Sequence, residues 1–465
     1  MNLATMILYG VFFTLVGACV GSFLNVVIWR LPHRGREVKY LGKTGPMTLS
    51  WPPSHCPMCD APIRWYQNVP VLSYILLHGK CAKCRVPIPI RYPLVELATM
   101  MLWGGMYLAY FVGHWQMVPP KWVHGAGVAV LDLDWPVYVW HCLFCSALLA
   151  AAAIDADLFI IPLAVIWFVG VLGIAGSLLI GTPLARADYA LVPWLVEKGW
   201  WLGKPILGAV GGLGLANVLL LTKVLPRSYP WELEVKEEEP GEEAKEEAMP
   251  PPPKLSRFGA SVIAALIIVA IIVGLWVCGM FNAATVAGMS GAILIFLIGV
   301  LPRDEGQVDA TDEVVEEIQE GNVRFEIMKE VLFLAIPAAA AALLYFLPFE
   351  LPQVPWMARL LGSLLGLLAG GGVVWLIRIG GTLAFNRQAM GLGDVHLMAA
   401  VGTVMGAPLV LFAFAFSCVP ALVWGLFLKI QKKPNVLPLG PWLAVASMLT
   451  LLVGYPIISM YLSLF

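Results

Sequence analysis

Long uncharged stretches are the feature that most constrains the fold of this chain. Residues 3–29 contain no Lys, Arg, Asp or Glu, and a helix needs about 20 apolar residues to cross the hydrocarbon core of a bilayer. Only 13% of the 465 residues are charged, against roughly 25% in an average soluble protein. The sequence therefore predicts an all-α polytopic membrane protein and excludes an ordinary soluble enzyme.

Similar apolar stretches recur along the chain and predict about twelve transmembrane helices. After the first helix, 1–29, we expect spans near residues 93–112, 136–154, 160–181, 205–223, 258–280, 283–301, 329–348, 358–380, 395–416, 418–430 and 438–463. Arg30 follows the first stretch at once, whereas a signal peptide carries its positive charge before the apolar run. The first helix is therefore expected to be retained, with its N-terminus outside and its other end in the cytoplasm.

The charged residues are segregated along the sequence. Residues 30–92 carry ten Lys or Arg and two acids, which predicts a cytoplasmic loop. Residues 231–254 combine a Glu run with four consecutive prolines, as is typical of a disordered linker. A short surface helix is predicted at residues 311–320. No basic stripe with interleaved aromatics points to nucleic acid, so membrane lipid is the expected surrounding.

Four cysteines in the basic loop have the spacing of a metal centre. Two C-x-x-C pairs are separated by 21 residues, and they consist of Cys56, Cys59, Cys81 and Cys84. Two such pairs can hold one tetrahedral zinc ion in a closed four-sulfur site that folds a small loop. Disulfides are the alternative, which a reducing cytoplasm disfavours, and the neighbouring His55 is an alternative ligand.

Two carboxylates lie at predicted membrane edges. Asp155 ends an Ala run, and Asp394 follows Gly391 and Gly393, which permit close backbone approach. Two carboxyls about 4 Å apart repel by roughly 4 kcal/mol at an effective dielectric near 20, so they would share one proton, as aspartic proteolysis requires. Asp157 is expected to support this site or to cap its helix. The alternatives are solvated helix caps and a proton-coupled transporter.

Four sequence blocks, in this order, resemble the type IV prepilin peptidases, the bifunctional leader peptidase/N-methyltransferases of pilus and type II secretion systems. The blocks are GSFLNVVIWRLP at 21–32, the four-cysteine block at 56–96, IDADLFIIP at 154–162 and GLGDVHL at 391–397. The last contains the GxGD signature of intramembrane aspartic proteases. The resemblance covers 1–223 and about 358–465.

This resemblance implies a function, a location and a set of site residues. Asp155 and Asp394 would be the catalytic pair, cleaving the leader of prepilins and pseudopilins after a Gly at the cytoplasmic face of the bacterial inner membrane. The new N-terminus would then be methylated with S-adenosylmethionine, an activity associated in the family with the loop 30–92. Candidate cofactor or substrate contacts are Glu96, Asn68 and Arg91, whose alternative role is loop packing and interfacial anchoring.

The sequence also departs from the family pattern. His396 replaces the usual Lys after GxGD, and Leu163 replaces the usual Asp or Asn after Pro162. Residues 224–357 appear as an insertion that holds both acidic segments and extra spans. The expected layout is thus a first helix (1–29), a zinc loop (30–92), helices with the first Asp (93–223), the insertion (224–357) and helices with GxGD (358–465). A non-catalytic scaffold in pilus assembly is a further alternative.

Overall fold

The structure is a computed structural model, and it describes residues 3–112, 131–179, 202–226, 228, 323–352, 354–386, 388–430 and 438–462. The structural statements below concern these residues. The predicted spans 258–280 and 283–301 lie outside them, as do the linker 231–254 and the predicted surface helix 311–320.

The described part of the chain is mostly helical, and its two-stranded sheet is a short hairpin in the loop after the first helix. The hairpin strands are β1 (Glu37–Tyr40) and β2 (Lys43–Pro46), which pair antiparallel with Glu37 opposite Pro46. The helices are α1 (Leu3–Arg30), α2 (Leu72–Leu76), α3 (Arg91–Tyr107), α4 (Leu131–Leu158), α5 (Leu163–Leu179), α6 (Gly203–Leu221), α7 (Val323–Phe346), α8 (Pro355–Phe385), α9 (Leu392–Met405), α10 (Ala407–Ile430) and α11 (Gly440–Leu462).

Seven of the described helices are long and apolar enough to cross a membrane, namely α1, α3 with its extension to Val112, α4, α6, α7, α8 and α10. Three shorter apolar helices are 163–179, 392–405 and 440–452. Large apolar side chains on these helices are exposed, as lipid contact requires; Leu8, Trp167 and Leu422 are 68%, 69% and 74% exposed. The protein is therefore an integral membrane protein, and the predicted count of about twelve spans is not confirmed.

The predicted spans 395–416 and 418–430 have a different boundary in the structure. The break lies at Gly406, between α9 and α10. Gly406 has a left-handed φ of 76° and its N–H bonds the carbonyl of Gly402, which ends α9. Pro408 then stands in the first turn of α10, where its missing N–H costs nothing. The hydropathy pattern missed this break because both sides of it are apolar.

The described residues form two compact units. The first contains α1, the hairpin loop, α3, α4 and α11, with α1 packed on α3 and α4 packed on α11. Its centre is the fully buried Tyr138, whose ring lies 4.9 Å from that of Phe13 and whose hydroxyl donates to the Trp103 carbonyl at 2.8 Å. This hydrogen bond satisfies the hydroxyl, which is the polar group of a tyrosine side chain buried among helices.

The second unit contains α6, α7, α8 and α9, with α6 packed on α7 and α8 packed on α9. Gly366 on α8 and Gly402 on α9 face each other, and a Cβ on either would strike the backbone of the other. Ser363 donates to the Thr403 carbonyl at 2.8 Å along the same seam. Small residues and short polar bonds are what holds transmembrane helices together without a hydrophobic driving force between them.

Candidate active site and metal centre

The two cysteine pairs sit in loops of the same backbone geometry. In the first, the Cys56 N–H bonds the Ala61 carbonyl at 3.0 Å and Asp60 takes a left-handed φ of 51°. In the second, the Cys81 N–H bonds the Val86 carbonyl at 2.8 Å and Arg85 takes a φ of 62°. An isolated β-bridge closes each loop. Each C-x-x-C segment is thus a tight knuckle that turns both of its thiols the same way.

The two knuckles bring their four sulfurs together. All four Sγ atoms lie within 4.8 Å of one another, with Cys56 3.7 Å from Cys84 and Cys59 4.0 Å from Cys81. A tetrahedral ion with metal–sulfur bonds near 2.3 Å has sulfur–sulfur edges of roughly 3.8 Å, so the cluster fits such an ion. His55 has other partners: its Nδ1 lies 2.8 Å from the Pro53 carbonyl and its ring packs on Tyr40.

The thiols of the cluster have unequal acidities before any ion is considered. Burial raises the pKa of Cys56 to about 12, whereas the backbone N–H of Cys84 lowers the pKa of Cys81 to about 6. A cation among the four sulfurs would favour the thiolate form of each of them. The cluster can therefore hold a metal, as its spacing predicts.

Asp155 lies in the last turn of α4, in the first unit, with a side chain that is 6% exposed. Its Oδ2 accepts the backbone N–H of Gly440 at 2.9 Å. Gly440 is the first residue of α11, so the carboxylate faces the positive end of a helix. A Cβ on Gly440 would lie 2.5 Å from this Oδ2. Only glycine lets the α11 backbone come this close to the carboxylate.

Asp157, two residues further along α4, has a different partner. Its carboxylate forms an ion pair with Arg91 at the start of α3, and Arg91 also donates to the Ala153 carbonyl at 3.1 Å. Arg91 thereby ties the last turn of α4 to the point where the loop after α1 enters α3. Asp157 therefore has a different partner from Asp155, and its ion pair with Arg91 supports the end of α4.

Asp394 lies in the first turn of α9, in the second unit, and is 8% exposed. Gly391 is the residue that caps this helix, and a Cβ on it would lie 3.4 Å from Oδ2 of Asp394. Gly393 is the second helical residue, between cap and acid. His396 follows on the same helix, within electrostatic range of Arg378 and Glu330. An acid at this position is stabilised by the positive end of its own helix.

The three predicted cofactor contacts lie in different environments. Glu96 is buried, accepts the Val71 N–H at 2.7 Å and is also bonded by Ser22 and Asn25 of α1. Glu96 therefore anchors the loop between α1 and α3 to both helices. Arg91 is paired with Asp157, as described above. Asn68 is exposed at the end of the 3₁₀ turn 65–67. Only Asn68 of the three faces solvent.

The structure places three residues that sequence reasoning missed beside the candidate acids. Gly440 holds Asp155, and a buried pair on α7 and α8, Glu330 and Arg378, lies next to the turn that leads to Asp394. A charged residue inside an apolar span is a functional signal by itself, so Glu330 and Arg378 could have been singled out. Gly440 is one of 45 glycines, and nothing in the sequence around it marks it as a functional residue.

Two family comparisons match separate parts of the chain. Residues 15–110 match the Bacterial Peptidase A24 N-terminal domain, and residues 323–426 match the Type IV leader peptidase family. The first match contains the four cysteines and the second contains Asp394. The second begins at 323, within the segment 224–357 that the sequence predicts as an insertion. No solved structure matches the chain.

Curated relatives are similar over part of the chain. A type 4 prepilin-like proteins leader peptide-processing enzyme of Escherichia coli O78:H11 is 34% identical over 224 residues, which are 45% of this chain and 79% of that protein. Prepilin leader peptidase/N-methyltransferases of Pseudomonas aeruginosa and Neisseria gonorrhoeae are 40% and 48% identical, over 32% and 19% of this chain and 47% and 35% of their own lengths. On the coverage of the first of these relatives, this chain belongs to the type IV leader peptidase family.

Proposed function

We propose that this protein is a membrane aspartic endopeptidase that removes the leader peptide of prepilins or pseudopilins. Asp155 and Asp394 form its catalytic pair. The observation that carries the proposal is that each acid is almost fully buried at the end of an apolar helix, beside a helix N-terminus. The names of the relatives support the substrate class. The location is the bacterial inner membrane, with the site facing the cytoplasm, in keeping with the basic loop 30–92.

The chemistry follows from one proton shared between two carboxyls. The ionised carboxylate takes a proton from a water molecule while the protonated carboxyl polarises the carbonyl of the scissile peptide. The water oxygen bonds the carbonyl carbon, the C–N bond then breaks, and the leaving nitrogen takes up a proton as an amine. The Gly440 N–H holds the Asp155 carboxylate at 2.9 Å, which fixes one of the two groups for this exchange.

The test of the catalytic pair uses Asp155→Asn and Asp394→Asn with a co-expressed prepilin. Each variant keeps the side-chain shape but cannot share the proton, so the cleavage rate should fall by about a thousandfold or more. Leader removal is followed by gel shift and mass spectrometry. Asp134→Asn, which changes a carboxylate at the opposite end of α4, is the matched control and should cleave normally.

Undiminished cleavage by either Asn variant would contradict the catalytic pair. If the unmodified chain leaves every co-expressed prepilin uncut, a non-catalytic scaffold in pilus assembly is favoured instead. A proton-coupled transporter would show proton flux that depends on the two acids in the absence of any prepilin.

We further propose that the four-cysteine cluster holds a structural zinc ion. The support is the fit of the sulfur separations to a tetrahedral ion and the closed four-sulfur ligand set, which leaves no position for a substrate. The ion would lock the two knuckles together, because the loop between α1 and α3 has too little core to fold alone.

Cys59→Ser tests the zinc assignment in the full chain. We expect about one zinc per chain in the unmodified protein, a fall of about tenfold in the variant, and faster proteolysis of the loop, with peptidase activity retained. Zinc is measured by elemental mass spectrometry. Cys19→Ser changes an exposed cysteine of α1 outside the cluster and serves as control. A variant that keeps its full zinc content would refute the assignment.

Methylation of the new N-terminus is proposed on the names of the relatives alone. S-adenosylmethionine would supply the methyl group, and loop 30–92 is the proposed location. Glu96 and Arg91 have partners within the protein, Val71 and Asp157 respectively, and both stay candidate contacts. Asn68 is exposed and is the third candidate contact.

A further inference from the structure

A buried ion pair lies between α7 and α8 in the second unit. Glu330 and Arg378 are 3% and 0% exposed, and Arg378 Nη2 donates to Glu330 Oε1 at 2.9 Å. The other carboxylate oxygen, Oε2, accepts the indole N–H of Trp375 at 2.7 Å. Burying a charged pair this deeply among apolar helices costs desolvation free energy, and the mutual attraction of the charges offsets it only with good geometry. Charged residues inside apolar spans usually have a function.

Arg378 also reaches beyond the ion pair. Its Nη1 donates to the backbone carbonyl of Met390. One turn further along α8, the Thr382 hydroxyl accepts the backbone N–H of Ala389 at 3.2 Å. Arg378 and Thr382 are four residues apart and therefore lie on the same face of the helix. That face of α8 holds the turn 388–391 by two hydrogen bonds to consecutive residues.

The turn 388–391 leads directly into α9. Met390 precedes Gly391, the helix cap, and Asp394 follows in the first turn. The N-terminal end of α9 is therefore fixed through the Met390 carbonyl, and the direction of the Asp394 carboxyl depends on where that end lies. Glu330 orients the guanidinium by taking two of its donors, Nε and Nη2, which leaves Nη1 directed at Met390.

We propose that Glu330 and Arg378 are positioning residues for Asp394. Glu330 orients Arg378, Arg378 holds the Met390 carbonyl, and the carbonyl fixes the start of α9 that carries the acid. The inference rests on the proposed function, because it assigns a role in the reaction to residues that act through Asp394. It also makes α7, which lies within the predicted insertion 224–357, a part of the peptidase.

The first variant is Arg378→Lys, assayed as the full chain on a purified prepilin. Lysine keeps the charge but lacks the fork that bonds Glu330 and Met390 together. Displacement of a reacting group by about 1 Å costs up to about a hundredfold in rate, so kcat should fall tenfold to a hundredfold while KM changes less than about threefold. Arg359→Lys, in the same helix, is the matched control and should have unchanged kcat.

A second variant separates positioning from stability. Glu330→Met with Arg378→Met replaces the pair by apolar side chains of similar length, a change that often preserves or raises stability. We expect a thermal midpoint at or above that of the unmodified protein, together with a kcat still reduced tenfold or more, because methionine cannot donate to the Met390 carbonyl. A double variant with normal kcat would overturn the proposal, and so would a normal kcat for Arg378→Lys.

Failure of this inference is distinguishable from failure of the proposed function. Asp394→Asn is run beside the other variants. If it cleaves normally, the catalytic assignment itself fails. If it is inactive while Arg378→Lys and the double methionine variant are fully active, only the positioning role is wrong.

Discussion

At the scale of single residues, the two acids differ in what surrounds them. Asp155 accepts a hydrogen bond from Gly440, which lies 285 positions away in sequence, whereas Asp394 lies in the first turn of its own helix. The sequence singles out both acids as candidates, because a carboxylate at the end of an apolar run is costly and rare. The partner of Asp155 was not predictable, since nothing local in the sequence marks which of many glycines it meets.

The contact between Asp155 and Gly440 leads to a prediction. Gly440→Ala would place a methyl carbon 2.5 Å from Oδ2 and 3.0 Å from Cβ of Asp155, so the carboxylate must move. We expect the cleavage rate to fall about tenfold or more, with zinc content unchanged. Gly425→Ala is the control, because a Cβ at Gly425 meets nothing within 4 Å. Equal rates for the two alanine variants would show that the position of Asp155 does not depend on Gly440.

At the scale of elements, short-range sequence patterns predicted the cysteine knuckles and most of the helices. The knuckles follow from C-x-x-C spacing because a four-residue turn is decided by near neighbours. The helices follow from apolar runs of sufficient length. The break at Gly406 and the seam between α8 and α9 did not follow. Gly366 and Gly402 are ordinary glycines of apolar helices until the two backbones are brought together.

The seam between α8 and α9 can be tested by adding one methyl group. Gly366→Ala would put a Cβ against the Gly402 carbonyl and 2.9 Å from the Gly406 Cα. Overpacking of this kind costs about 1–3 kcal/mol, so the thermal unfolding midpoint in detergent should fall by several degrees. Gly372→Ala lies on the same helix with nothing within 4 Å of its Cβ, and it should unfold at the normal temperature. A normal midpoint for Gly366→Ala would contradict the close packing of these two backbones.

At the scale of the whole molecule, the cysteine cluster and Asp155 belong to one compact unit and Asp394 belongs to the other. The family matches likewise fall into two stretches, 15–110 and 323–426. The two acids of the proposed catalytic pair therefore come from stretches that are far apart in the sequence.

The proposed peptidase and methyltransferase activities predict two changes to the same prepilin substrate. A co-expressed prepilin should lose its leader after a Gly and gain 14 Da, about the mass of one methylene, at the new N-terminus. Mass spectrometry of the mature pilin reports both changes together. Asp394→Asn should yield neither, since the amine exists only after cleavage. Cleavage without the added mass would retain the peptidase and refute the methyltransferase.

By itself, the sequence determined the membrane class and the cysteine cluster that could hold a metal, and it singled out the two acids that we propose as the catalytic pair. These depend on apolar length, on short spacing and on the cost of charge in lipid, all of which act on residues close together in the chain. Tertiary structure decided the partners: Gly440 for Asp155, Asp157 for Arg91, and Glu330 with Arg378 for the turn before Asp394. Those contacts join residues 12 to 285 positions apart. Only the packing of helices against one another selects such pairs, because no local pattern encodes them.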